Sequence, residues 1–266
     1  VTSIEAEGTV PADVRRQRIA DAIGRRGFVR VADLSTAFHV SDVTVRTDLD
    51  ALDRVGVVRR VHGGAVLRTP FARELSFEEA LESSGEEKRR IARAAVELMV
   101  PGTCVFVDVG TTTAAFARAL AEREDLAGLT LVTNGLSIAR ELESSIPRNS
   151  VVVTGGTLRP LQHSLVAPLA SLVLDRLRVD VAVIGCSGVD ARAGVTNVNL
   201  EEAELKRLMV ERSGRAIVLA DGSKLGRADL ARVAGVDEIS VLVTSSSADT
   251  AALSDLRAAG LEVEIS

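Results

Sequence analysis

Apolar residues recur with two different periods along this chain, and the change of period divides it. Ala32, Leu34 and Ala37 form one short apolar face, and Val45, Leu49 and Leu52 follow at the four-then-three interval of an amphipathic helix. Ser41 stands between them. Its hydroxyl can accept a hydrogen bond from a backbone N–H one turn on, which predicts a second helix starting near Asp42. From Gly56 the run VVRRVHGGAVLR is strand-like, with Gly63-Gly64 expected to supply the positive φ angles of a two-residue hairpin turn. Two short helices, a tight turn and an Arg-bearing hairpin form the pattern of a winged helix-turn-helix.

From Cys104 the pattern changes, and short apolar runs alternate with helical stretches. CVFVDV, LTLVT, SVVVT, VDVAVIG, RAIVLAD, ISVLVTS and LEVEI predict strands, while 112–122, 136–144, 200–213 and 248–259 predict helices. Another helix is expected from Glu86, with Ile91, Ala95 and Leu98 on one face. Such alternation predicts an α/β domain with a mainly parallel sheet covered by helices, and ligands on such sheets bind at the carboxyl ends of the strands. The stretch RTPFARELSFEEALESSG, punctuated by Pro70 and Gly85, reads as a connector. The expected organisation is therefore a winged helix-turn-helix over 10–68, a connector over 69–85 and a larger α/β domain over 86–266.

If Val45, Leu49 and Leu52 face inward, Val43, Arg46, Thr47 and Asp50 face outward with Thr44 on the flank. Placed in a major groove, Arg46 would bond a guanine edge or a phosphate, and Val43 or Thr47 would meet a thymine methyl. Arg59, Arg60 and His62 fall on the hairpin, where they would neutralise phosphates without reading sequence. With Ser41, these are the candidate DNA contacts. Charge agrees in sign: residues 10–70 hold 11 Arg against 7 Asp, whereas the whole chain of 266 residues is −5.

Composition removes other classes. There is no run of about 18 apolar residues, and VTSIEAEGTV lacks the regions of a signal peptide, so a soluble cytoplasmic protein without a membrane partner is expected. Cys104 and Cys186 lie in apolar runs as candidate buried free thiols, and His39, His62 and His163 lack ligand spacing, so no metal site is expected. With no Trp or Tyr, aromatic stacking on bases is not expected either.

The predicted strand ends carry small polar residues and glycine: Asp108-Val109-Gly110-Thr111-Thr112-Thr113, Thr133-Asn134-Gly135, Gly155-Gly156, Ser187-Gly188 and Asp221-Gly222-Ser223-Lys224. A glycine turn entering a helix presents free N–H groups to an anion, and Lys224 would add a point charge. Turn and cap chemistry alone also uses these residues, but five such loops on one sheet edge favour an anionic small-molecule pocket. No nucleotide-binding glycine motif is present.

These residues resemble the DeoR-type bacterial transcriptional regulators. The resemblance runs from about residue 13 to 245, carried by VSDVTVRTDLDALDRVGVVRRVHGGAV and then by DVGTTT, VTNG, GGTLR, IGCSGVDARAGVTN, EEAELKR and LADGSK. It implies a winged helix-turn-helix that binds double-stranded operator DNA as a homo-oligomer, dimer or tetramer. It also implies a sensor domain related in fold to ribose-5-phosphate isomerase, with no cofactor and no catalytic residue. The implied effector is a phosphorylated sugar whose binding releases a repressor from a carbohydrate operon. Effector-binding positions carry over to Asp108, Gly110, Thr111, Thr112, Thr113, Asn134, Gly155, Glu202, Lys206, Asp221 and Lys224. Family members usually place two arginines where this chain has Arg46-Thr47, and glycine where it has Ala167. Glu202 and Lys206, four apart, have a plainer reading as an exposed helix pair. A sugar-phosphate isomerase using Asp108, Glu202 or Asp221 as base, or an activator of the same family, are the alternatives.

Overall fold

The seven apolar runs become the seven strands of one parallel sheet in a computed structural model that describes residues 12–26, 28–54, 58–61, 63–67 and 74–266. The chain divides into two units, residues 1–70 and 71–266.

In the first unit, α1 (Ala12–Arg26), α2 (Val31–Phe38) and α3 (Asp42–Arg54) accompany a sheet of β1 (Phe28–Arg30), β2 (Val58–Val61) and β3 (Gly64–Leu67) in the order β1-β3-β2. Ile19 and Ile23 of α1, Leu34 of α2, and Val45, Leu49 and Leu52 of α3 share its core. Asp48 is the one buried acid of α3, and it pairs with Arg15 at 2.6 Å and Arg16 at 3.2 Å. The hairpin differs from expectation by one residue. Gly63 has φ +79, but Gly64 is already paired with Val61 and with Arg30. A Cβ on Gly64 would lie 2.3 Å from the Val29 carbonyl oxygen, so this glycine serves close strand packing, not the turn.

The second unit opens with α4 (Phe77–Glu82), inside the stretch expected to be a plain connector, and α5 (Gly85–Val96). Ser76 and Glu79 form a reciprocal capping box that satisfies free N–H groups at the start of α4. Then follow β4 (Cys104–Val107), α6 (Thr111–Ala121), β5 (Thr130–Thr133), α7 (Leu136–Leu142), β6 (Ser150–Val153), a hairpin of β7 (Thr157–Arg159) and β8 (Ser164–Val166), and α8 (Leu169–Asp175). The remainder comprises β9 (Val179–Gly185), β10 (Gly188–Asp190), β11 (Gly194–Asn197), α9 (Leu200–Glu211), β12 (Ser213–Leu219), β13 (Ala231–Ala234), β14 (Val241–Thr244), α10 (Thr250–Ala258) and β15 (Val263–Ile265).

The large sheet has the order β15-β14-β12-β9-β4-β5-β6, and β10, β11 and β13 form a separate antiparallel sheet. Burial on both faces explains the continuous apolar runs of the central strands β14, β12, β9, β4 and β5, whereas the edge strands β6 and β15 are exposed or half-buried. Val105 and Val107 of β4 pack with Ile91, Phe116 and Leu120 on one face, while Phe106 joins the other core with Met209 and Leu253. From β4 the chain proceeds to β5 on one side and returns at β9 on the other. That is a topological switch point, where diverging connections leave a crevice beyond the strand ends.

Candidate functional site

A cavity of about 300 Å³ opens at that switch point, lined by Gly110, Thr111 and Thr112 after β4, Gly185, Cys186 and Ser187 at β9, and Asp221, Ser223 and Lys224 after β12. Asn197, Glu202 and Lys206 close it from β11 and α9, and Glu74, Ala80, Ser83 and Lys88 from the start of the unit. The volume lies at the lower end of the range of small-molecule sites, about 300–1,000 Å³.

Gly110 takes φ +134, a conformation side chains rarely adopt, and as N-cap of α6 it offers no side-chain cap. The first turn of α6, whose N–H groups helix geometry leaves without an intrahelical partner and which carries the positive end of the helix, lines the cavity through Thr111 and Thr112. Lys206 lies behind, 2% exposed, in ion pair with Asp108, which is 1% exposed. The Gly185 N–H also donates to Asp108 Oδ2 at 3.0 Å, whereas Asp108 Oδ1 is buried without a partner among the described residues. Burial pushes the Asp108 carboxyl up, against the pull of Lys206. Burial also works against the Lys206 charge, but Asp108 and Glu202 outweigh it and hold the ammonium protonated.

Glu202, 4% exposed, accepts from Ser164 Oγ at 2.6 Å and from Arg159 Nη1 at 2.9 Å through the same Oε1. Its Oε2 takes no hydrogen bond from the described residues. Glu202 and Lys206 are thus buried cavity residues, and the plainer reading of an exposed pair does not hold. Lys88 donates to the Ser83 carbonyl at 2.8 Å and to that of Ala80; burial, together with the like charge of Lys224, lowers its pKa although Asp221 opposes. Lys224 makes no ion pair among the described residues. Cys186 is a free thiol, pushed up to about 12 by burial, and Cys104 is a free, half-buried thiol.

Of the effector positions carried over, Gly110, Thr111, Thr112, Glu202, Lys206, Asp221 and Lys224 line the cavity. Asp108 reaches it only through Lys206. Thr113 is fully buried and donates to the Gly110 carbonyl at 2.9 Å. Asn134 donates to the Leu165 carbonyl at 3.2 Å, tying β5 to β8, and Gly155, with φ +69, stands in the loop after β6; neither lines the cavity. Lys88 and Glu74 carry no local signal in the sequence, since both sit in helical or connector patterns without a glycine turn.

In the first unit, Val43 is 68% exposed, Arg46 and Thr47 are exposed, and Thr44 lies on the flank. Ser41 Oγ accepts from the Thr44 N–H at 3.1 Å, as an N-cap does. The Thr47 hydroxyl turns back to the Val43 carbonyl at 3.0 Å. Arg60 corrects the picture of a free wing arginine: its Nη1 donates to the Arg46 carbonyl at 3.2 Å and pairs with Asp50, clamping β2 to α3. The Arg59 side chain and His62 lie outside the described residues.

The chain matches the model of the DeoR-like helix-turn-helix domain over residues 15–71 and that of the DeoR C-terminal sensor domain over 83–246. It is 35% identical to the HTH-type transcriptional regulator GlpR of Haloferax volcanii, over 96% of this chain and 97% of that one. It is 30% identical to the HTH-type transcriptional regulator GolR of Listeria innocua, over 94% and 97%, and 28% identical to the glycerol-3-phosphate regulon repressor of Escherichia coli K12, over 86% and 89%. Among solved structures, the full-length sorbitol operon regulator SorC of Klebsiella pneumoniae is 13% identical over 94% of this chain and 100% of that one, with a TM-score of 0.42. Ribose 5-phosphate isomerase A of Methanocaldococcus jannaschii is 20% identical over 53% and 55%, with a TM-score of 0.40.

Proposed function

The chain belongs to the DeoR family of helix-turn-helix transcriptional regulators, and from that premise we propose that it is a repressor of a carbohydrate operon, released from its operator by a phosphorylated sugar. The observation that carries the effector reading is the convergence of the α6 N-terminus with Lys88, Lys206 and Lys224 on one cavity. Free N–H groups and lysines suit a phosphate, while Glu202 Oε2, Asn197 and Ser187 suit hydroxyl groups. The exposed Val43, Arg46 and Thr47 of α3 are the base-reading candidates. On this reading the protein acts in the cytoplasm as a homo-oligomer, dimer or tetramer, with the two-fold symmetry common to such assemblies.

Catalysis is not part of this reading. An isomerase needs a carboxylate base at the substrate carbon, but Asp108 is withdrawn behind Lys206 and Asp221 Oδ1 accepts from Ser223 N–H at 3.1 Å as the cap of a turn. Glu202 is held by Arg159 and Ser164.

The test is fluorescence anisotropy of labelled DNA from upstream of the chain's own gene, titrated with protein and challenged with phosphorylated and unphosphorylated sugars. Salt-sensitive binding reversed by one sugar phosphate is expected. Binding that none of them alters would remove the effector assignment and leave the DNA-binding half standing.

A further inference from the structure

The charges behind the cavity form one alternating chain. Asp108 pairs with Lys206, Lys206 lies in the field of Glu202, Glu202 accepts from Arg159, and Arg159 closes on both oxygens of Glu74. Three carboxylates face two cations, so the chain carries one negative charge in excess. Its members differ in how firmly they are held. Asp108 and Glu202 stand at a strand end and on a helix, each with a further donor, Gly185 N–H or Ser164 Oγ. Glu74 lies outside any helix or strand, its carboxylate has only Arg159 among the described residues, and it follows Pro70, the last residue of the first unit, by four positions. Its side chain lines the cavity.

We infer that Glu74 is the cavity residue that opposes a bound anion, and that its release from Arg159 passes occupancy of the cavity to the connector. This deepens the effector reading and rests on it. A phosphate entering the cavity raises the energy of the carboxylates on its wall, Glu74 among them, and the one with the fewest separate anchors yields first. Lys88 acts on the same segment. Its ammonium holds the carbonyls of Ala80 and Ser83 at the end of α4, and turning it toward an anion removes that hold. A ligand changes a conformation only through contacts that differ between the two states, and these are the contacts that differ.

Hydrogen exchange of peptides covering residues 74–84, in the full chain with and without ribose 5-phosphate, fructose 1-phosphate or glycerol 3-phosphate, reads the connector directly. Calorimetry alongside reports binding, with inorganic phosphate as a common probe. In the wild-type chain the bound sugar phosphate is expected to accelerate exchange there about fivefold or more. Glu74→Gln is expected to bind inorganic phosphate about threefold more tightly, because an opposing charge is gone, and to change its connector exchange by less than about twofold on binding. Glu78→Gln, in the same segment but outside the cavity, keeps the wild-type affinity. Equal or weaker phosphate binding by Glu74→Gln, or unaltered connector exchange with a sugar phosphate bound, overturns the inference and leaves the effector reading intact. No heat from any sugar phosphate or from inorganic phosphate removes the effector reading, and the inference falls with it.

Discussion

Lys206 and Glu87 show how single buried contacts set the pH response. Lys206→Met would strand the buried Asp108 carboxylate, and removing one partner of such a pair costs about 3–5 kcal/mol. The loss, measured by urea denaturation, is expected to be largest near pH 8 and to shrink as pH falls. Burial raises the folded-state pKa of Asp108 against the pull of Lys206, and losing that pull raises it further, so as pH falls the variant takes up the proton before the wild type does and recovers stability. A deficit independent of pH would show that Asp108 does not take up the proton. Glu87 has the opposite sign. Burial would raise its pKa, but Ser245 Oγ, Ser247 Oγ at 2.6 Å and the Gly222 N–H at 3.0 Å donate to it and lower it below its ordinary 4.5. Its contribution is complete above that value and is lost as pH falls through the lowered one, so Glu87→Gln should flatten the acid limb of a stability curve. The types of these residues are legible in the sequence. Their burial is not, and burial is what makes an i, i+4 pair on α9 a cavity wall rather than a surface contact.

At the scale of elements, periodicity was a sound guide wherever apolar residues recur over a full strand or several helical turns. Val45, Leu49 and Leu52 face the core of the first unit as their spacing predicts, and each apolar run from CVFVDV to LEVEI is a strand of the parallel sheet. Elements with weaker patterns leave no such signal in the sequence. The strands β7 and β8 have three residues each, and α1 carries a polar sequence in which Ile19 and Ile23 reach the core. The helix α4 did carry a local signal, the S-x-x-E spacing of Ser76 and Glu79. Asp48 ties α1 to α3 across 33 positions of sequence, which no local pattern announces. Asp48→Asn removes a buried charge from Arg15 and Arg16 and is expected to cost the first unit about 3 kcal/mol. Differential scanning calorimetry checks this, since the cost should fall on one transition and spare the other.

The whole molecule consists of two units with separate cores, which predicts two unfolding transitions. A sugar phosphate at a hundred times its Kd should stabilise the second unit by about 2.7 kcal/mol, seen as a rise in one Tm, while operator DNA raises the other. A ligand that shifted only the first transition would place the effector site elsewhere. By itself the sequence determined the kinds and order of the main elements, since helix and strand periods follow from local backbone geometry. Its ordered motifs also determined the family. The tertiary structure decided which strand ends meet. Setting β4 beside β9, about seventy-five residues further along, creates the crevice that Gly110, Cys186 and Lys224 line together. It also decided that Arg60 turns to Asp50, and that Arg159 stands between Glu74 and Glu202. Those pairings depend on strand order and on which side chains lose water. Both are settled by packing across the sheet, where local spacing has no influence.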